Sequence, residues 1–209
     1  GLTEEDKAWC QAAIGKLRSE GIFTPPSFRG TLVIPGNVGG IAWSGMAYDP
    51  ARGLLVMPVN NVAAEVRLIP RAEAEAQREA NRVSGDFEYA PQNGTPYAMM
   101  RRILLSPGTG LPCTPPPWGT LVAVRAATGE IAWQVPLGQL GGTEKIPGAA
   151  EWGSVALGGP IITAGGLVFT AGTFEPAIYA FDVATGTQVW KGTLPTSAKA
   201  TPMTYRARD

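Results

Sequence analysis

The chain has 209 residues, with seventeen basic and seventeen acidic side chains and no histidine. The missing histidine excludes Ser-His-Asp and Cys-His catalysis, histidine general bases and zinc sites of the histidine type. A neutral chain without a basic cluster offers no electrostatic reason to bind nucleic acid or an anionic membrane.

Glycine (27) and proline (19) are both high, and the hydrophobic content is 44%. Together they predict a packed all-β chain of short strands and tight turns. Residues 3–20 are predicted as a helix. Thr3 can cap it, Asp6 stands at the capping-box position, and Trp9, Ala13, Ile14 and Leu17 repeat at helical spacing up to Gly21. Phe23-Thr24-Pro25-Pro26-Ser27 is an extended linker. Residues 40–48 and 54–60 read as a hairpin around Asp49-Pro50-Ala51-Arg52-Gly53. An interruption follows over residues 62–117, with a charged surface helix over 71–82 and a proline run ending Pro115-Pro116-Pro117. Residues 119–126 and 130–137 form a second hairpin around Ala127-Thr128-Gly129.

Downstream, four short apolar runs cover residues 158–194. They are separated by Ala164-Gly165-Gly166, Thr173-Phe174-Glu175-Pro176 and Val183-Ala184-Thr185-Gly186. Glycine and proline at such joints supply the backbone angles of tight hairpins. Residues 155–174 carry no charge, but five glycines and a proline break the run, so a hairpin fits better than a membrane span. Residues 200–206 read as the first strand of a further unit. No basic-then-apolar leader opens the chain, so targeting lies elsewhere or the start is missing.

The two halves repeat. Ala123-Val124-Arg125-Ala126-Ala127-Thr128-Gly129-Glu130-Ile131-Ala132-Trp133 aligns with Ala180-Phe181-Asp182-Val183-Ala184-Thr185-Gly186-Thr187-Gln188-Val189-Trp190. The Thr-Gly pair makes the turn between third and fourth strands, and the tryptophan can dock on a neighbouring sheet. A repeated four-stranded unit of this size predicts a β-propeller. Residues 40–137, with the 62–117 insertion, and 157–194 are then two blades. Residues 1–39 are the remnant of an earlier blade and 200–209 the start of a later one. Two blades fall short of the four to eight that close a ring, so the remaining blades are expected partners. Cys10 and Cys113 are not a C-x-x-C pair. They read as buried thiols, as a disulfide if the protein is exported, or as a reactive thiol.

Several stretches resemble the pyrroloquinoline quinone (PQQ) dependent dehydrogenases, in the carboxy-terminal part of the membrane-type glucose dehydrogenases and their relatives. They include Pro35-Gly36-Asn37-Val38-Gly39-Gly40, Trp43-x4-Tyr48-Asp49, Arg67-Leu68-Ile69-Pro70-Arg71, Pro116-Pro117-Trp118-Gly119, Leu157-Gly158-Gly159-Pro160-Ile161 and Ala200-Thr201-Pro202-Met203-Thr204-Tyr205. The resemblance implies an eight-bladed propeller with PQQ and calcium on its axis. It also implies oxidation of a sugar or alcohol in the periplasm, with electrons passed to ubiquinone. The family's catalytic aspartate and quinone-contacting lysine fall in blades this chain lacks, so no catalytic residue is assigned. In many relatives an asparagine precedes the tryptophan, and here that place is Ala42. The place of a cofactor-contacting asparagine is Pro58, with Asn60 and Asn61 just after it. The candidate cofactor-binding residues are therefore Trp43, Asn60, Asn61, Gly158 and Gly159. Each has a structural alternative: core packing for the tryptophan, strand-end turns for the asparagines, bulges for the glycines. Lys145 and Glu151 are further candidates for the substrate mouth. The alternative function is a non-enzymatic propeller scaffold of the outer-membrane assembly type, which has no need of the Leu-Ile-Pro-Arg and Pro-Pro-Trp-Gly segments.

Overall fold

The computed structural model describes residues 3–205, and the expectations for Gly1, Leu2 and residues 206–209 fall outside that range. The chain divides into two compact units, Gly1–Asn37 with Val62–Pro115, and Val38–Asn61 with Pro116–Asp209.

The first unit opens with α1 (Glu4–Gly15), capped by Thr3, whose hydroxyl accepts from the Asp6 amide at 3.1 Å. Asp6 does not complete a capping box. Its carboxylate accepts from Gly108 N–H at 3.2 Å instead. The helix stops short of the predicted Glu20 because a strand edge captures the next turn. Arg18 N–H donates to Gly30 O, and Leu32 N–H donates to Arg18 O. The edge belongs to β1 (Thr31–Val33). β1 pairs antiparallel with β4 (Ala64–Pro70) inside the insertion.

The insertion is itself a sheet, which the sequence reading missed. A short 3-10 turn and α2 (Ala74–Ser84) follow β4, and then come β5 (Glu88–Ala90) and β6 (Tyr97–Ile103). The order is β1-β4-β6-β5. Alternation along β4 and β6 buries Ile69, Ala98 and Met100 against Ala74. Arg67 and Arg102 both lie over the Phe87 ring, at 5.1 and 4.5 Å from its centroid. Gly85, at φ 70°, closes α2. Exposed Glu75–Arg78 and Glu79–Arg82 pairs line the helix, as a solvated surface helix requires. Cys10 and Cys113 form a disulfide across 103 residues of sequence.

The second unit holds the two repeated sheets. One runs β2 (Ala47–Asp49), β3 (Leu54–Asn60), β7 (Gly119–Arg125), β8 (Ile131–Pro136), in that spatial order. Every residue of β3 pairs with β7, from Leu54↔Arg125 to Asn60↔Gly119. The other runs β9 (Pro160–Ile162), β10 (Leu167–Thr170), β11 (Ala177–Asp182), β12 (Gln188–Thr193) as a meander. The repeat holds in atomic detail. Ladder shifts occur between Ala123 and Val124 and between Ala180 and Phe181, the same place in each copy. Gly129 N–H donates to Arg125 O as Gly186 N–H donates to Asp182 O, both at left-handed φ (76° and 73°). Between the sheets lies one core of Val56, Leu121, Ala123, Leu137, Val168, Tyr179, Phe181 and Val183. Trp133 seals it: its Nε1 donates to Val183 O at 3.0 Å and its ring covers Gly186.

Two strand expectations are corrected. The predicted strand 40–48 is broken after a single bridge at Ile41, and β2 starts only at Ala47. Asn60 N–H points to Gly40 O. The alternation of a strand then aims the nitrogen of Pro58 at the same side. It carries no hydrogen, so the ladder cannot continue there. Residues 200–205 carry no strand pairing. Instead Thr201 Oγ1 accepts from Gly159 N–H at 3.2 Å.

Candidate functional site

The five candidate residues lie in the second unit, where β3, the 40–46 segment and the 154–160 segment converge. Asn60 is 2% exposed, and its amide clasps both backbone polar groups of one residue. Nδ2 donates to Ala156 O at 3.0 Å, and Oδ1 accepts from Ala156 N–H at 2.8 Å. The reciprocal pattern fixes which amide atom is which. Asn60 thereby joins the end of β3 to the segment leading into β9.

The neighbouring contacts tighten the same seam. Ser44 Oγ donates to Leu157 O, and Leu157 N–H donates to Gly172 O at 3.0 Å. Gly158 and Gly159 lie close against other stretches of backbone. A Cβ on Gly158 would meet Ala171 O at 2.8 Å and Ala200 O at 2.9 Å, and one on Gly159 would meet Ser44 O at 2.5 Å. Asn61 is exposed, and its N–H donates to Trp118 O at 2.9 Å. Trp118 follows the proline run. It is buried against Trp152, ring centroids 5.5 Å apart and edge to face.

Trp43 does not begin an inner strand. It occupies a turn closed by Gly45 N–H to Ala42 O at 3.0 Å, and its indole is 84% exposed. Ala42, in the place of the asparagine of many relatives, is buried at 4% exposure.

A polar network that the sequence did not reveal lies at Glu175. Its Oε1 accepts from the Tyr179 hydroxyl and from Gln139 N–H at 2.7 Å. Its Oε2 pairs with Lys191 at 2.7 Å. Burial first, and then the Glu175 carboxylate, push the Tyr179 phenol well above its usual range, so it stays protonated as a donor. The residues line a cavity of about 160 Å³ with Gln188 and Pro136. Only the position of Glu175 in a turn was legible in sequence. Lys145 and Glu151 are exposed.

The aspartates serve turns. Hydrogen bonding from Arg52, outweighing burial, holds the Asp49 carboxyl below its ordinary value. The Thr185 hydroxyl and amide do the same for Asp182. Among the described residues no group of three or more His, Cys, Asp or Glu side chains is placed to share a metal ion. With Asn60 engaged and both glycines filled by backbone, the described residues do not by themselves enclose a tricyclic quinone or a calcium ion. No helix among them is long and apolar enough to cross a membrane.

Comparison with known proteins places this geometry. The family profile "PQQ: Glucose/ethanol/alcohol dehydrogenase, beta-propeller domain" matches residues 1–209. The chain is 38% identical to a probable quinate dehydrogenase (quinone) of Xanthomonas campestris pv. juglandis, over 98% of its own length and 27% of that protein's. It is 36% identical to the quinoprotein glucose dehydrogenase of Escherichia coli (strain K12), over 98% of its length and 26% of the relative's. It therefore spans about a quarter of the curated relatives it matches. The quinohemoprotein alcohol dehydrogenase of Comamonas testosteroni shares the fold, with a TM-score of 0.54 at 24% identity, over 84% of this chain and 22% of that one. Two four-stranded blades that repeat the same turn and tryptophan, matched from end to end by one profile, place the chain in the PQQ-dependent glucose/ethanol/alcohol dehydrogenase β-propeller family.

Proposed function

We propose that this chain is the propeller segment of a PQQ-dependent dehydrogenase that oxidises a hydroxyl of a sugar or alcohol. The observation that carries the reading is the family match over residues 1–209, laid on two packed blades whose order and register suit a larger ring. When bound, PQQ supplies the hydride-accepting chemistry, while the protein supplies position and electrostatics. Calcium is proposed as its companion ion, and ubiquinone as the electron acceptor.

The role of these residues is to hold the inner ends of two blades in fixed register. Asn60 and Ser44 tie the 40–46, 58–60 and 156–159 segments together, and Gly159 N–H bonds the Thr201 hydroxyl. Trp43 and Asn61 are the two candidates left exposed at that seam and are proposed to face the cofactor. The base and most cofactor contacts come from other blades of the same enzyme. Relatives named for quinate, glucose and glycerol all match the chain, so the substrate is assigned only as a polyol or sugar hydroxyl. A periplasmic location is supported by the Cys10–Cys113 disulfide, since such bonds persist in oxidising compartments.

The test compares the complete polypeptide with the 209-residue chain, each given PQQ and calcium, by substrate-dependent dye reduction. Activity is expected from the complete polypeptide with at least one sugar or polyol, and none from the 209 residues alone. A complete polypeptide that binds PQQ yet reduces no dye with any such substrate would overturn the reading.

A further inference from the structure

The Arg67-Leu68-Ile69-Pro70-Arg71 stretch lies wholly in the first unit, on β4 and the turn after it. Arg71 serves the chain itself: its guanidinium donates to Gln92 O, Thr95 O and Tyr97 O at 2.7, 2.9 and 2.6 Å. Arg67 does not. The other charged side chains of β4 and β6 are paired, Glu65 with Arg102 at 2.9 Å and Arg101 with Glu88 at 2.6 Å. Arg67 is half-buried and has no carboxylate partner among the described residues. It lies over the Phe87 ring, and its Nη2 reaches the Met100 sulfur at 3.8 Å. A thioether is a weak acceptor. The guanidinium therefore keeps N–H donors in the fork that fits a carboxylate.

Arg67 lines a cavity of about 220 Å³ together with Phe28, Ile69, Pro70, Glu73 and Gln77. The cavity opens where β4 loses its edge partner. Leu68 N–H donates to Ser27 O at 3.0 Å. By strand alternation the next N–H on that edge belongs to residue 70, which is a proline and has none. Phe28 is held beside the gap, edge to face with Tyr97 at 5.5 Å. Glu73 and Gln77 stand four residues apart at the start of α2, and neither side chain has a hydrogen-bond or ion-pair partner among the described residues. One cavity thus gathers an unpaired cation, an unpaired carboxylate, a free amide and an aromatic wall.

We propose that this cavity binds a small hydroxy acid, a carboxylate whose carbon frame carries hydroxyls. Arg67 takes the carboxylate through paired N–H donors. The Gln77 amide and the Glu73 carboxylate take the hydroxyls, the first as donor or acceptor and the second as acceptor. Phe28, Ile69 and Pro70 cover the C–H face of the frame. Glu73 also sets selectivity: it repels an anion that brings no hydroxyl, and it is satisfied by one that does. The volume lies below the roughly 300–1,000 Å³ of pockets for drug-sized ligands, so the ligand is of single-ring size. Quinate, the acid in the name of one relative, is a ligand of this class and serves as the probe.

The experiment titrates the complete polypeptide, prepared without PQQ or calcium, with quinate by calorimetry. Inositol, a neutral polyol, and acetate, an anion without hydroxyls, are titrated beside it. Saturable binding of quinate is expected, with inositol and acetate weaker by about tenfold or more. Arg67→Gln is expected to raise the quinate Kd by about tenfold or more, and Arg67→Lys to recover part of that loss. Gln77→Ala, on the half-exposed side of α2, is expected to weaken quinate and leave acetate unchanged. Amide hydrogen exchange of the unaltered protein locates the site whether or not a variant folds: quinate should protect residues 67–77 and leave β10 and β11 unchanged. No saturable binding, a quinate Kd indifferent to both Arg67→Gln and Gln77→Ala, or protection confined to other segments would each overturn the proposal. No cofactor is added, so the outcome is separate from that of the PQQ reading.

Discussion

Asn60 shows how one amide ties the end of a strand to the segment leading into the next sheet. It is buried, and its two polar ends bond the backbone N–H and C=O of Ala156. Replacing it with alanine leaves a buried N–H and a buried C=O unpaired, each costing about 1–3 kcal/mol. Asn60→Ala is expected to lose about 2–4 kcal/mol in urea unfolding with little change in slope. A loss under about 0.5 kcal/mol would show that the clasp is dispensable. Titration gives a second prediction at this scale. The Asp182 carboxyl lies below its ordinary value, through the Thr185 hydroxyl first. A depressed pKa stabilises the fold above the unfolded-state pKa, and that stability is lost as pH falls through the folded value. Asp182→Asn is therefore expected to flatten the loss of stability below about pH 4, near the ordinary carboxylate pKa. Thermal melts of both proteins between pH 6 and the acid limit would check it. An unchanged acid slope would remove the turn role.

At the scale of elements, the Thr-Gly turns and the tryptophan spacing were legible because they are local and repeated. The truncation of the predicted strand 40–48 was legible in principle, since Pro58 lies on the partner strand. The reading failed because it matched apolar runs without asking where each N–H must point. The insertion sheet was hidden for a different reason. Glu65, Arg67, Arg101 and Arg102 break the apolar pattern of β4 and β6, and the contacts of Arg67 and Arg102 with Phe87, of Arg102 with Glu65 and of Arg101 with Glu88 exist only in three dimensions. At the candidate site, Asn60, Gly158 and Gly159 make contacts with distant backbone that sequence spacing does not record. The turn glycines allow a controlled test. Gly186→Ala and Gly129→Ala impose the same left-handed strain, costing about 1 kcal/mol or more. Only Gly186→Ala also drives a methyl into Trp133, adding about 1–3 kcal/mol of overpacking. Gly186→Ala is expected to be the more destabilising by that difference in chemical denaturation. Equal losses would mean the indole does not depend on the glycine.

Across the whole molecule, the disulfide is the long-range tie the sequence left open. Both cysteines belong to the first unit, 103 residues apart in sequence, and the loop they close also carries Val38–Asn61 of the second unit. A loop of that length is worth about 4.7 kcal/mol in the chain-entropy account, with measured losses of about 2–5 kcal/mol. Reduction, or Cys10→Ser with Cys113→Ser, is expected to lower the stability of that unit by this amount. Hydrogen exchange would localise it: protection should fall in β4 and β6 and persist in β10 and β11. Uniform loss over both units would argue against their separate stability.

The chain departs from its second-unit sheet after Asn61 and comes back at Pro116. Asn60 faces Gly119 across the ladder, and Asn61 N–H meets Trp118 O at 2.9 Å. Exit and return are therefore neighbouring rungs, about 4.8 Å apart. Such a doorway is indifferent to what is threaded through it. A two-residue hairpin or an unrelated domain with adjacent termini would leave β3 and β7 zipped as they are, and the position is a natural splice point for grafting a new segment onto this sheet.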